Sequence, residues 1–228
     1  MKAVLISVKP KYCQLIANGR KTIEIRKTVP FKGHHKTSNG KCSEFLTPFK
    51  CYIYCSKSNG NDVNNLLEIH SPSGKIFKAN GTVIGEFVCN KITSYEAELW
   101  DDNTFERIQE VYEPDDFIEY GEYEYKTVAS NDNTNWKDNI LCQESCLSIE
   151  ELRKFIGTGI NSFYGWHISE LKIYDKPKEL SEFYKQGKCP YNKDGCTYKY
   201  HCFRSGETNR CGEKVEKPPK SWMYVEEI

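Results

Sequence analysis

The sequence predicts an α+β fold: a small, mostly antiparallel β-barrel with two or three flanking helices and a cysteine-rich C-terminal extension. Two observations support this prediction. Five or six stretches of strand character recur along the 228 residues, and apolar residues at helical spacing are confined to short segments between them. The cysteine-rich stretch has too few apolar residues to form a core of its own.

The first 27 residues predict a strand, a helix and a second strand. Residues 3–8, AVLISV, form an apolar run of strand character, and KPKYCQLIAN after them has apolar residues at helical spacing. Gly19 follows where a helix C′ residue is expected. The segment KTIEIRK then alternates, so its two isoleucines face one side of a strand and Glu24 and Arg26 face the other.

The middle of the chain predicts strands interrupted by two insertions. After a basic loop over residues 28–49, KCYIYCSK predicts a strand, and the run at 81–95 predicts a single long one. The first insertion, near 57–80, predicts a short helix between two turns. The second insertion lies near 96–140 and begins with an acidic stretch, residues 96–124. The apolar residues of this stretch recur at helical spacing, which predicts one helix.

The last third predicts a capped helix and further strands. SIEELRKFIG begins at Ser148, with Glu151 three residues later as in a capping box, and Gly157 closes the helix. SFYGWHISELKIY returns to strand character, and SWMYVEEI predicts a last strand. The predicted organisation is a barrel over 1–176, a cysteine-rich segment over 185–215 and a strand over 220–228 that rejoins the barrel.

Charge is distributed unevenly along a chain that is neutral overall, with 32 basic and 32 acidic residues. Residues 1–50 contain 11 basic and 2 acidic side chains, whereas residues 96–124 contain 1 basic and 12 acidic ones. Such asymmetry can orient a polyanion at the basic part of the chain.

Composition predicts a cytoplasmic protein without a membrane partner. MKAVLISV is too short and too soon followed by charge to act as a secretory signal, and no stretch approaches 18 apolar residues. The eleven cysteines are then expected to be free thiols or metal ligands. Seven have apolar or strand-like neighbours and are predicted to be small core residues: Cys13, Cys42, Cys51, Cys55, Cys89, Cys142 and Cys146.

The stretch GRKTIEIRK, residues 19–27, concentrates charge on one predicted strand. One interpretation is a solvated strand face, on which Glu24 offsets its basic neighbours. The other is a binding cleft, in which Lys21 and Arg26 hold phosphates while Glu24 orients a base or carries protons. Lys9, at the preceding strand-to-helix turn, is expected near the same rim.

The same stretch resembles the signature of the ASCH domain, a PUA-related β-barrel family. Gly19, Lys21, Glu24 and Arg26 fit G-x-K-x-x-E-x-R, and SVKPKYCQLIANG, GTVIGEFVCNKI and YGWHISELKIYDKP resemble the family's neighbouring elements. The resemblance covers most of 1–176 apart from the insertions. It implies a PUA-like barrel that binds RNA or nucleotides in a cleft between helix and barrel.

One branch of that family deacetylates N4-acetylcytidine with a lysine, a threonine and a glutamate. Lys21 matches the lysine, but position 24 is Glu where the branch has its threonine. Thr22 is two positions away, and Glu144 lies about one residue from the place of the branch's glutamate. The resemblance therefore implies binding more strongly than amidohydrolysis, although Lys21 and Glu24 could act together on a water molecule.

Trp166 and His167 have two interpretations. In a strand one of them faces the core and the other faces the opposite side, which is typical of packing. Alternatively, Trp166 provides a stacking platform for a base. His34 and His35 lie in a predicted loop with no partner indicated by their spacing.

The cysteine-rich segment predicts a structural zinc site. Cys189, Cys196, Cys202 and Cys211 lie within 23 residues, and four thiolates suit tetrahedral zinc in a segment that cannot fold by packing alone. The segment from Cys189 also resembles small three-cysteine, one-histidine fingers that bind single-stranded RNA, but position 206, where the histidine belongs, is Gly. Cys211 is the better candidate for the fourth zinc ligand, and His201 is the other candidate.

Residues 176–220 contain 11 basic and 6 acidic side chains. This segment either extends a nucleic-acid-binding surface or only holds the C-terminal strand in place.

Three functional hypotheses follow from the sequence. The first is a module that binds RNA or a modified nucleotide through Lys9, Lys21, Arg26 and Trp166, with Glu24 as an oriented acceptor. The second is a hydrolase of a modified nucleoside or of RNA, with Lys21 and Glu24 as catalytic residues. The third is an adaptor that meets a protein partner through the acidic insertion.

Overall fold

A computed structural model describes residues 3–30, 47–57, 67–99, 105–112, 124–130, 139–186 and 213–228. These residues form twelve β-strands and three α-helices, so the described part of the protein is mostly β. The chain divides into two compact units, each assembled from distant segments. The first unit comprises Met1–Ala17, Phe49–Val88 and Glu170–Ile228, and the second comprises Asn18–Pro48 and Cys89–Ser169.

The elements follow one another along the chain in this order: β1 (Ala3–Val8), α1 (Pro10–Ala17), β2 (Ile23–Arg26), β3 (Phe49–Cys55), β4 (Glu68–His70), β5 (Ile76–Lys78), β6 (Val83–Cys89), β7 (Ile92–Leu99), β8 (Phe105–Tyr112), β9 (Glu124–Ser130), α2 (Ile140–Ser145), α3 (Ile149–Ile156), β10 (Gly159–His167), β11 (Ser169–Lys178) and β12 (Trp222–Val225).

The first unit contains a mixed five-stranded sheet in the order β11-β6-β3-β1-β12. β1 and β3 are parallel, with Val8 opposite Cys55, whereas β12 pairs antiparallel with β1. One cluster of this unit's core contains Leu5, Tyr52 and Phe183. Gly85 allows the backbones of β6 and β11 to approach, because a Cβ at this position would lie 2.4 Å from the carbonyl oxygen of Lys172.

Two segments that flank residues 187–212 pair with each other in the first unit. Tyr184 forms an antiparallel bridge with Lys214, and the amide of Lys185 donates to the carbonyl oxygen of Glu213 at 2.8 Å. Next to this bridge, Phe183 and Val215 are fully buried. The chain therefore leaves and re-enters the fold at one place on either side of the cysteine-rich segment.

The second unit contains an antiparallel sheet in the order β2-β10-β7-β8-β9. One sheet face packs on α2 and α3 through a core that includes Ile23, Ile25 and Leu152. α3 has the predicted capping box between Ser148 and Glu151, which is confirmed. Short polar caps thus fix the ends of helices whose apolar faces complete the core.

Several predicted elements were wrong, because strand pairing overrode the local pattern. In the stretch 96–124, where one helix was predicted, residues 96–99 end β7 and residues 105–112 form β8, which pairs with β7 and β9, whereas 100–104 and 113–123 fall outside the described residues. The long strand predicted over 81–95 is two strands, β6 and β7, separated at residues 90–91. Of the helix predicted near 57–80, residues 67–70 lie in and next to strand β4, and 58–66 fall outside the described residues. The sequence did not predict α2.

The cysteines of the described residues are free thiols. Four predicted core cysteines, Cys13, Cys51, Cys55 and Cys89, are buried. Burial raises the pKa of Cys89 to about 12, which favours the protonated thiol at neutral pH. Cys142 and Cys146 are only half-buried, and Cys42 falls outside the described residues.

Candidate functional site

The charged stretch around β2 is buried on both faces. Ile23 and Ile25 enter the core of the second unit, as the alternation predicted. Glu24 and Arg26, on the other face, are 8% and 7% exposed, and Lys21, just before the strand, is 2% exposed. The interpretation of this stretch as a solvated strand face was therefore wrong.

Glu24 bridges the two cations. One of its carboxylate oxygens, Oε2, lies 3.3 Å from Lys21 Nζ, and the other, Oε1, lies 2.8 Å from Arg26 Nη2. Both oxygens are engaged, so the rotation of the carboxylate is restricted. Pairs of this kind are stronger than neutral hydrogen bonds and have a defined geometry.

The C-terminus of α2 holds the segment that precedes β2. Lys21 Nζ donates to the carbonyl oxygen of Ser145 at 2.5 Å, and the amide of Thr22 donates to the carbonyl oxygen of Glu144 at 2.9 Å. The Cys146 thiol lies 3.3 Å from the carbonyl oxygen of Arg20. The last carbonyls of a helix have no partner within the helix and attract cations. α2 therefore supplies acceptors for the ammonium group of Lys21.

A buried side chain holds α2 itself at its N-terminus. Asn139, which is 5% exposed, accepts hydrogen bonds from the amides of Leu141 and Cys142 and donates one to the carbonyl oxygen of Val128. Asn is a preferred N-cap residue, so its position before ILCQES is the sequence signal that could have predicted this helix.

Contacts at the end of α2 also connect residues that lie far apart in the sequence. Lys21, Thr22 and Glu144 are joined through the backbone contacts at the end of α2. The Ser145 side chain, which sequence analysis did not identify, is fully buried there, and its hydroxyl has no hydrogen-bond partner among the residues that the structure describes.

Trp166 lies next to Glu24 across the β2–β10 pair and is 0% exposed. A base could stack on this indole only if the covering groups moved, so the burial favours the packing interpretation of Trp166.

His167 is half-buried on the opposite face of β10. Its Nε2 lies 2.8 Å from the hydroxyl oxygen of Thr93. Burial, and secondarily the charge of Lys91, lowers the pKa of the imidazole, which favours its neutral form at pH 7.

Lys9 belongs to the first unit, whereas Lys21, Glu24, Arg26 and Trp166 belong to the second. Lys9 is exposed, at the turn between β1 and α1.

The predicted zinc ligands, Cys189, Cys196, Cys202 and Cys211, and the alternative ligand His201 fall outside the described residues, as do His34 and His35. Within the described ranges, no three His, Cys, Asp or Glu side chains are placed to hold a metal ion. None of the helices in those ranges is both long and apolar enough to cross a membrane.

No protein-family model matches the sequence, and no curated protein matches it. Among solved structures, the chain is similar to ASCH from Zymomonas mobilis, with 15% identity, a TM-score of 0.44 and coverage of 99% of this chain and 88% of that chain. Two mutant forms of the Zymomonas mobilis protein are each 16% identical. One has a TM-score of 0.43, with 99% and 89% coverage, and the other 0.38, with 79% and 77%. At these identities and TM-scores, no residue role is transferred to this chain.

Proposed function

We propose that the protein binds RNA or a nucleotide, and that Lys21, Glu24 and Arg26 form its charged site. The observation that supports this most is the buried network, in which one carboxylate is held between an ammonium and a guanidinium group. Ion pairs taken out of water contribute little net stability, because desolvation offsets their attraction. A binding role explains why three charged side chains are retained in a buried strand segment.

The chemistry of the three groups suits a nucleotide. A guanidinium or ammonium group binds phosphate oxygens through charge-assisted hydrogen bonds. A carboxylate repels phosphate but accepts hydrogen bonds from a base amino group or a sugar hydroxyl. In this proposal Arg26 binds the anion, Glu24 selects the base or sugar, and Lys21 adds positive charge behind them.

Burial suggests different roles for the two cations. The side chains of Glu24 and Arg26 are 10% and 9% exposed, compared with 2% for Lys21. Arg26 and Glu24 are therefore the more accessible members of the network, and Lys21, which also donates to the Ser145 carbonyl oxygen, positions the carboxylate. The excess of basic residues in the first 50 positions would favour the approach of a polyanion.

Two substitutions test this proposal. Glu24→Gln keeps the size of the side chain and should retain affinity for RNA while losing preference among the four mononucleotides. Arg26→Gln should weaken binding of every nucleotide, by about 1–3 kcal/mol. Lys126→Gln, which removes an exposed charge from β9, is the matched control. Fluorescence anisotropy with labelled RNA and competition by mononucleotides would measure both effects, and thermal unfolding would confirm that the variants fold. Unchanged binding by both folded variants would refute the proposed site.

A second candidate function is hydrolysis of a modified nucleoside. The supporting observation is that the backbone of exposed Thr22 is hydrogen-bonded to that of half-buried Glu144, while Lys21 Nζ donates to the carbonyl oxygen of the next residue, Ser145. A hydroxyl, an ammonium and a carboxylate are the groups that acyl transfer requires. Release of cytidine from N4-acetylcytidine, abolished by Thr22→Ala with the fold retained, would support this function. Absence of turnover in the parent protein would exclude it for this substrate.

We also propose a structural zinc ion in the segment that contains Cys189, Cys196, Cys202 and Cys211. The pairing of Tyr184 with Lys214 supports this proposal, since it holds the two flanks of the segment side by side. A metal would then order a polar segment whose ends are already joined.

A further inference from the structure

The first unit has one sheet edge where three neighbouring strands present lysines. β3, β1 and β12 are adjacent, and the parallel strands β1 and β3 end where β12 begins. Lys9 follows β1, Lys57 follows β3, and Lys220 precedes β12. We infer that this lysine edge, Lys9, Lys57 and Lys220, is a binding surface for the phosphates of single-stranded RNA.

Backbone hydrogen bonds hold the three segments next to one another. The amide of Ser56 donates to the carbonyl oxygen of Val8 at 2.8 Å, and the amide of Ser7 donates to the carbonyl oxygen of Ser221 at 3.0 Å. Neighbouring strands lie about 5 Å apart, so the backbones that carry the three lysines are within about 10 Å of one another. Lys9, Lys57 and Lys220 are all exposed.

The three described segments that carry these lysines contain no acidic residue. Residues 7–12, 55–57 and 217–222 read SVKPKY, CSK and KPPKSW, which contain five lysines and no aspartate or glutamate. The N-terminus of α1 lies in the same place, also without an acidic residue in its first turn, and the positive end of the helix dipole adds to the potential. These segments therefore concentrate positive charge at the ends of three neighbouring strands.

One lysine of the edge packs on a glycine. Gly81 has a positive φ of 85°, and a Cβ at this position would lie 3.1 Å from Lys57 Cε. The aliphatic part of Lys57 therefore lies against the Gly81 backbone, at a place where a larger residue would displace it.

Aromatic side chains distinguish RNA from an anionic membrane as the partner. Half-buried Tyr12 lies on α1 with Lys11 Nζ 5.3 Å from its ring centre, and half-buried Trp222 begins β12 directly after the lysine edge. Lysines interleaved with aromatic rings are typical of surfaces that bind single-stranded nucleic acid, where phosphates contact the cations and bases stack.

The test compares two triple variants of the full chain. Lys9→Gln/Lys57→Gln/Lys220→Gln removes the edge, and Lys78→Gln/Lys172→Gln/Lys176→Gln removes three exposed lysines from β5 and β11 of the same unit. Binding of a labelled 12-nucleotide poly(U) RNA would be measured at several salt concentrations. The edge variant should bind at least about tenfold more weakly at low salt, and its plot of log affinity against log salt should be shallower by about 2. The control variant should bind like the parent.

Two further ligands are tested with the same proteins. Uridine monophosphate tests binding of a single nucleotide, and vesicles containing phosphatidylserine test binding to an anionic membrane. This inference builds on the proposed nucleic-acid binding, but it concerns the oligomer, so the edge variant should still bind the mononucleotide like the parent. If the Glu24 and Arg26 variants bind like the parent while the edge variant loses poly(U), the proposed site fails and the lysine edge stands. Three outcomes would refute the inference that the lysine edge binds RNA. They are no poly(U) binding by the parent protein, an equal loss of poly(U) affinity in both triple variants, or lysine-dependent binding to the vesicles without binding to RNA.

Discussion

The ammonium group of Lys21 donates a hydrogen bond to the backbone carbonyl oxygen of Ser145, 124 positions away in the sequence, at 2.5 Å. The same ammonium group pairs with Glu24. The geometry of the charged site therefore depends on the position of α2. A substitution that displaces α2 should also displace the Lys21 ammonium group and the Glu24 carboxylate that pairs with it.

Replacing Lys21 should destabilise the protein strongly. Lys21→Met keeps much of the buried aliphatic stem but leaves Glu24 and the Ser145 carbonyl group without the ammonium. Breaking a buried pair on one side costs about 3–5 kcal/mol, so the free energy of unfolding in urea should fall by about 3 kcal/mol or more. Lys126→Met, at an exposed position, should change it by less than about 0.5 kcal/mol.

A double variant separates this pairing effect from simple loss of packing. In Lys21→Met/Glu24→Leu the buried carboxylate is removed together with its ammonium partner, so the double variant should lose less stability than Lys21→Met and Glu24→Leu lose in sum, although Arg26 also loses its ion pair with Glu24. A double variant as unstable as the sum of the two single variants would show that the pair itself is not what stabilises this region.

The two helix caps of the second unit provide a matched comparison. Asn139→Ala and Ser148→Ala should each lower the free energy of unfolding by about 1 kcal/mol, because each removes an N-cap. Only Asn139→Ala affects the helix that holds Lys21, so only this variant should weaken nucleotide binding in the anisotropy assay. Equal binding by the two variants would indicate that α2 does not control the site.

His167 should make stability sensitive to acid. Burial first, and the charge of Lys91 second, lower the pKa of its imidazole in the folded protein, and Glu110 opposes them. The unfolded chain, with an ordinary pKa of about 6.5, then binds the proton more readily than the folded one. Stability is fully present above pH 6.5 and decreases as the pH falls toward the folded-state pKa.

His167→Gln, which keeps a polar partner for Thr93, should flatten this dependence between about pH 7 and pH 5. Urea unfolding of both proteins across that range measures the difference. Identical pH profiles would show that another group causes the acid sensitivity.

Zinc content tests the cysteine-rich segment. Elemental analysis should find about one zinc ion per chain, and a chelator should remove it with loss of order around residues 187–212. Replacing Cys189 and Cys202 by serine should abolish zinc binding, whereas replacing Cys51 and Cys55, which are buried in β3, should not. Zinc-free protein purified without chelator would exclude the site.

Local signals predicted part of this fold. Alternation predicted that Ile23 and Ile25 face the core, and the capping box at Ser148 predicted the start of α3, because both patterns depend on neighbours a few residues apart. They also identified Lys21, Glu24 and Arg26 as one group, since the three lie within six positions.

Features that depend on contacts between residues far apart in the sequence could not be predicted from local patterns. The apolar spacing in β8 fits a helix, but pairing with β7 and β9 makes it a strand. Neither the acceptor role of Ser145 nor the complete burial of Trp166 has a local signature, because each depends on elements far away in the sequence.

The most direct test of the charged site is side-chain NMR of ¹⁵N-labelled arginine during titration with single-stranded RNA. Arg26→Lys would assign the Arg26 Nε signal, and Arg107, an exposed arginine paired with Glu98 on the neighbouring strand, serves as an internal control. If Arg26 contacts phosphate, its signal should shift and saturate with the binding curve while the Arg107 signal stays in place. An Arg26 signal that does not move when the protein is saturated with RNA would contradict the proposed function of this site.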